Sequence, residues 1–143
     1  MGLGSNVIRF PVCQPDNHPD HEPAAVGRVV RLVVTRRLSR SGSELVVRVS
    51  GDVDLVTAAT LARAFDHACR WFRAEPGGLG IVADLRAVSF LSAAGMRVLV
   101  GVRDACLAEG LDLRVVAAHA AVVAPLSLAG ITRMLNLQAD LPC

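Results

Sequence analysis

The sequence predicts a single α/β domain, built as a small mixed β-sheet with helices packed on it. Three observations carry that prediction. β-Branched runs alternate with amphipathic segments from Val29 onward. The first two β-branched runs are separated only by a short turn, which makes an antiparallel hairpin. Later ones are separated by helical segments, which makes right-handed parallel crossovers. The expected order is therefore β-β-α-β-α-β-α, in a largely parallel sheet with an antiparallel first hairpin.

The elements follow in chain order. Residues 1–28 place Pro11, Pro15, Pro19 and Pro23 every fourth residue among Asp, Asn, Gln and His. Such a segment buries little apolar surface and disfavours regular structure, so it is expected to be a flexible extension. The run "VVRLVVTRRL" is the first strand, "SRSGS" the turn and "ELVVRVS" the second strand. Gly51 and Asp52 are expected to break that strand, and Asp54 or Thr57 to cap a helix reaching about Phe72. Leu61, Phe65, Ala68 and Phe72 share one helical face, while Thr60, Arg63, His67 and Arg70 share the other.

"LGIVADL" is continuously apolar, as in a strand buried on both faces. Arg86–Leu91 reads as a loop, leading to Ser92 and a helix over about Ala93–Ala108. "GLDLRVVAA" supplies a turn and a fourth strand, with His119 as a loop or cap residue after it. Pro125 costs about 3 kcal/mol deep inside a helix, so the last helix is expected over about Ala121–Ala129, closing at Gly130. "ITRMLNL" is a short closing segment, and residues 139–143 a tail.

Composition narrows the function. A length of 143 residues suits one core, and 52% hydrophobic residues against 20% charged ones are enough to fold it. A net charge of +2 is too small for a nucleic-acid footprint, and four Phe, one Trp and no Tyr leave few stacking platforms. No signal peptide is expected, because residues 1–15 lack a continuous apolar segment. Asn6 stands where a myristoylation signal needs Ser or Thr. The charge-free stretch Val115–Thr132 carries His119, Pro125, Ser127 and Gly130, and reads as a strand plus a helix rather than a membrane span. Cys13, Cys69, Cys106 and Cys143 match no CxxC or zinc spacing and are expected to be reduced thiols of a cytoplasmic protein. Cys13, His18 and His21 are close in sequence but follow no closed metal-site pattern, so no metal is expected.

Chemistry is sparse. Ser92 sits in F-L-S-A-A, without the glycines of a nucleophile elbow and without a base–acid pair around His67 or His119. Neither a P-loop nor G-x-G-x-x-G occurs, and "EPGGLG" precedes a strand instead of opening a helix. Asp52 and Asp54, two apart, more simply cap the next helix than hold a cation. Asp84 ends the third strand, where it can accept from backbone donors of the following loop. No enzyme activity and no cofactor is expected. The accessible feature is the loop–helix junction at Ser92, where free N–H groups and the helix dipole favour an anion.

Three segments resemble the STAS family, the sulfate-transporter and anti-sigma-factor-antagonist domain. They are "RVSGDVDLVTAATL", "IVADLRAVSFLSAAGMRVLV" and "AAVVAPLSLAGITRMLNL", in that order over about Val29–Leu137. The resemblance implies a STAS-like fold over 29–138 and a regulatory protein that acts by partner switching. Its partner would be an anti-sigma factor of the serine-kinase type, which in this family inactivates the antagonist by phosphorylating a Ser at the helix start. The implied partner-binding residues are Asp52, Asp54, Ser89, Phe90, Leu91, Ser92, Ala93 and Met96, with no direct membrane insertion and no nucleic acid. An accessory subunit of a lipid or anion transporter is the alternative role within the family.

One departure bears on regulation. With Gly95 on the family's motif glycine, Ser92 falls on the Asp position and Ala93 on the phosphorylated Ser. Either Ser92 has become the acceptor, one residue early, or the domain is not regulated by phosphate there. A one-residue shift turns a side chain about 100° around a helix, which favours the second reading. Ser92 is then expected to be the helix N-cap, bonding the N–H of Ala94 or Gly95.

Overall fold

The computed structural model describes residues 7–8, 30–73 and 77–140. Strands β1 (Val7–Ile8), β2 (Arg31–Ser39), β3 (Gly42–Val53), β4 (Gly78–Leu91), β5 (Asp112–Val116) and β6 (Leu137–Gln138) form one sheet in the order of the chain. β1–β2 and β2–β3 pair antiparallel, and β3–β4, β4–β5 and β5–β6 pair parallel. Helices α1 (Leu55–Arg73), α2 (Ala93–Ala108) and α3 (Ala120–Leu128) make the three crossovers. This is the mixed sheet with a first antiparallel hairpin that the sequence predicts, and the first hairpin turns tightly, with Ser39 opposite Gly42.

Each crossover advances one strand in the same direction, so right-handed connections put all three helices on one face. Inward residues of the sheet, such as Leu32, Val34, Leu45, Val47, Ile81, Leu85 and Val115, meet Leu61, Phe65 and Ala68 of α1, Leu99 and Val102 of α2, and Val122 and Leu126 of α3 in one core. Each fully buried Leu or Phe contributes about 1.5–3 kcal/mol relative to an exposed one. The expected α1 stripe is confirmed at Leu61, Phe65 and Ala68, while the side chain of Phe72 lies outside the described residues. On the opposite face Val46, Val82 and Val116 form a second small buried cluster, so β4 is covered on both faces, as its apolar run requires.

Five expectations need correction or extension. Gly51 and Asp52 do not break the second strand; β3 runs on to Val53. Gly51 has φ 102°, so the chain bulges there without leaving the sheet. Arg86–Leu91 is not a loop but the last part of β4, because β3 offers it partners as far as Val53↔Leu91. The last helix begins one residue early, which puts Pro125 sixth in α3 and leaves the carbonyl of Ala121 without its i+4 amide. The "ITRMLNL" segment ends by adding the two-residue strand β6. Val7–Ile8, within the segment read as an extension, pairs with Thr35 and Val34; the remainder of that segment, with Cys13, His18 and His21, lies outside the described residues.

Candidate functional site

The C-terminal ends of β3 and β4 lie side by side, and α1 and α2 both leave from that edge. The parallel register pairs Gly51 with Val88, then Asp52 with Phe90, skipping Ser89. That extra residue is a β-bulge, and it leaves Ser89 and Phe90 both exposed instead of alternating in and out. Ser89 Oγ donates to Asp52 Oδ1 at 2.6 Å, tying the bulge to the neighbouring strand. The amide of Ser92 donates to the carbonyl of Val53 at 2.8 Å, which continues the pairing up to the first turn of α2.

Asp54 is the cap of α1. Its Oδ1 accepts from the amides of Val56 and Thr57, each at 2.9 Å, and Thr57 Oγ1 accepts from the Asp54 amide at 2.9 Å. This reciprocal arrangement satisfies the free amides of the first turn from within the chain. Thr57 Oγ1 also donates to the Asp52 carbonyl at 2.8 Å, fastening the cap to the end of β3.

Ser92 is the cap of α2, and the helix spans Ala93–Ala108 as expected. Ser92 Oγ accepts from the Gly95 amide at 3.2 Å, and the Ser92 carbonyl accepts from the Met96 amide at 3.0 Å. The hydroxyl is therefore engaged in structure. Gly95 faces the sheet so closely that an added Cβ would lie 2.6 Å from Leu91 Cδ1 and 2.7 Å from Val53 Cγ1. That contact explains the glycine: it lets the first turn of α2 dock on β3 and β4. His119 plays the capping part for α3, with Nδ1 accepting from the Ala121 amide at 3.1 Å.

The site residues named from the sequence converge at this edge, with two qualifications. Ser89, Phe90 and Ala93 are exposed, and Asp52, Asp54 and Ser92 are half-buried around them. Leu91 is only 2% exposed; it belongs to the core, because β4 continues through it and turns it inward against Gly95. Met96 is half-buried and packs on the core. Two apolar residues join the surface that had not been singled out: Leu55 and Val56, 78% and 79% exposed on the first turn of α1, with Phe90 at 46%. Periodicity held the signal. Running the Leu61–Phe65 stripe back one turn sends Thr57 and Ala58 inward, as they are, and Leu55 and Val56 outward.

Asp84 does not serve this edge. Its side chain is 2% exposed and carries Arg86 through two side-chain contacts of 2.9 Å and Arg48 at 3.3 Å. The expected backbone contact is also present, from the Arg86 amide at 3.2 Å. Burial pushes the carboxyl's pKa up, but the Arg86 hydrogen bonds and the charges of Arg86 and Arg48 outweigh it and hold it below its ordinary value. Among the described residues, no group of three or more His, Cys, Asp or Glu could hold a metal ion, and no helix is long and apolar enough to cross a membrane.

Comparison with known proteins agrees with this architecture. The family model described as the STAS domain matches residues 35–142. The crystal structure of an anti-sigma factor antagonist from Mycobacterium paratuberculosis is similar, with 27% identity and a TM-score of 0.61 over 78% of this chain and 87% of that one. An antisigma-factor antagonist STAS domain from Rhodobacter sphaeroides aligns at 24% identity and a TM-score of 0.44, over 57% of this chain and 82% of that one. No curated protein matches the sequence. With the family model covering most of the chain and all three crossovers in place, the protein belongs to the STAS domain family.

Proposed function

We propose that this protein is an anti-sigma factor antagonist that binds a serine-kinase-type anti-sigma factor through the edge formed by β3, β4 and the first turns of α1 and α2. The observation that supports it most is the trio Leu55, Val56 and Phe90, held exposed beside two capped helix ends. Large apolar side chains grouped at one rigid edge gain by being covered, and a polar rim of Asp52, Asp54, Ser89 and Ser92 can fix the orientation of what covers them. The similarity to the mycobacterial antagonist points to the class of partner. Binding alone suffices for the function: an anti-sigma factor held by this protein is withdrawn from its sigma factor by mass action.

Ala93 makes the regulation unusual. It is the first residue of α2, exposed, and has no oxygen to accept a phosphoryl group. The neighbouring Ser92 hydroxyl accepts from the Gly95 amide as the helix cap and stands one residue before that position, about 100° around the helix. The antagonist is therefore read as constitutively competent at this corner. Cytoplasmic location follows from that role, and residues 29–138 are the unit that carries it.

The test is calorimetric titration of the protein against each serine-kinase-type anti-sigma factor encoded by its host. One of them binds, and Phe90→Asp weakens binding at least tenfold, about 1.4 kcal/mol or more, while leaving the unfolding midpoint nearly unchanged. Binding by none of them, or equal binding by Phe90→Asp and a Leu55→Asp/Val56→Asp double variant, overturns the assignment.

A further inference from the structure

The sheet face that carries no helix is polar where the core face is apolar. Alternation along β2, β3 and β4 turns Arg31, Arg48, Ser50 and Asp84 toward it, because Leu32, Val47, Val49 and Leu85 turn into the core. The register sets Arg31 opposite Ser50 and Arg48 opposite Asp84. Between Arg48 and Ser50 the pairing shifts, with one residue more on β4 than on β3, and Arg86 and Ala87 are both exposed there.

Buried Asp84 organises this group. It accepts from Nε and Nη2 of Arg86, each at 2.9 Å, and from Nε of Arg48 at 3.3 Å. One guanidinium neutralises one carboxylate, yet here two share it and neither is used up. Among the described residues, Nη1 of Arg86 and both terminal nitrogens of Arg48 make no hydrogen bond, and the Arg48 side chain is 60% exposed. Arg31, also exposed, pairs with no acid among the described residues. Asp140 adds only a weaker attraction to Arg86. The face therefore keeps a surplus of positive charge, and two of its guanidinium forks are already held in place by Asp84 before anything binds.

We propose that Arg31, Arg48 and Arg86 form a docking surface for an acidic segment of a protein partner, on the sheet face opposite the helices. Charge complementarity sets the chemistry, since guanidinium forks match carboxylates in shape and charge. Spacing sets the kind of ligand. The three arginines stand on three neighbouring strands and spread over about 10 Å of open sheet, with small Ser50 and Ala87 between them. A single small anion reaches only part of that spread. Carboxylates two residues apart on an extended chain, about 7 Å, span it, as do carboxylates one turn apart on a helix. Contacts of this exposed kind set orientation and association rate more than affinity.

The test titrates the full chain into a fluorescently labelled decaglutamate peptide and follows anisotropy at low and at physiological ionic strength. Binding is expected at low ionic strength and is expected to weaken as salt rises, because exposed charges are screened. Arg31→Gln/Arg48→Gln is expected to weaken it at least tenfold, while Arg86 stays on Asp84 and preserves the fold. Arg31→Gln alone, which removes no hydrogen bond of the fold, is expected to weaken it about threefold. Arg63→Gln/Arg133→Gln, with the same net charge but changed at exposed residues elsewhere, is expected to lose no more than about twofold. Equal loss in the two double variants, no binding at low ionic strength, or binding of inorganic phosphate or phosphatidylglycerol vesicles with none of the peptide overturns the proposal. No anti-sigma factor takes part in these readouts, so their failure is distinguishable from failure of the binding edge.

Discussion

Gly95 shows how one residue determines the corner. Its missing Cβ is the space that Leu91 and Val53 occupy. Gly95→Ala is expected to force those side chains or the helix aside and to cost about 1–3 kcal/mol in urea unfolding. Gly101, exposed in the same helix with nothing near its absent Cβ, provides the contrast. There the same substitution relieves only backbone freedom, and Gly101→Ala is expected to stabilise by about 0.5–1 kcal/mol. The caps divide in a similar way. Ser92→Ala should lose about 1 kcal/mol, whereas Ser92→Asp, an equally good cap at the positive end of a helix, should unfold at nearly the wild-type midpoint. Ser92→Asp thus adds charge to the binding edge without harming the fold. The caps were legible in the sequence because their chemistry is local: Ser92 and Gly95 are three residues apart, as are Asp54 and Thr57. The inward turn of Leu91 was not, since it depends on pairing with Val53, which lies far away in the chain.

At the level of elements, β4 carries most of what the sequence did not reveal. Opposite β3 it holds extra residues at three places, and each register shift keeps pairing alive where a regular strand would have ended. Gly51 and Asp52 look like breakers because glycine and aspartate are poor strand formers, yet the ladder that retains them is supplied by Val88 and Phe90. The short strands β1 and β6 have two residues each, too few to show any period. Helix α2, by contrast, was legible to both ends. β4 also carries Asp84, and its pKa sets an acid limit. A carboxyl whose folded pKa is depressed contributes stability that is present above its unfolded pKa and is lost as pH falls through the folded value. Stability should therefore decline as pH drops below about 4, and Asp84→Asn should flatten that decline. At neutral pH the same variant should cost about 1–3 kcal/mol, less than a fully buried pair, because water reaches both arginines and screens them.

For the whole molecule, the single-sided packing of the helices decides where function can sit. All three crossovers run the same way, so α1 and α2 begin side by side at the C-terminal edge of β3 and β4, where irregular geometry and exposed apolar groups gather. The sequence identified the fold class and six of the exposed or half-buried residues at that edge around Ala93. It missed Leu55 and Val56, which became visible only once the core stripe of α1 was fixed. We propose that this edge binds a kinase-type anti-sigma factor and is not switched off by phosphate. The most direct test mixes the protein with its kinase-type partner, adds ATP and magnesium, and follows both complex formation and the mass of the peptide carrying Ser89, Ser92 and Ala93. An unmodified peptide and a complex that survives ATP are the expected result. A phosphate on Ser92 or Ser89, gained as the complex dissociates, would contradict it.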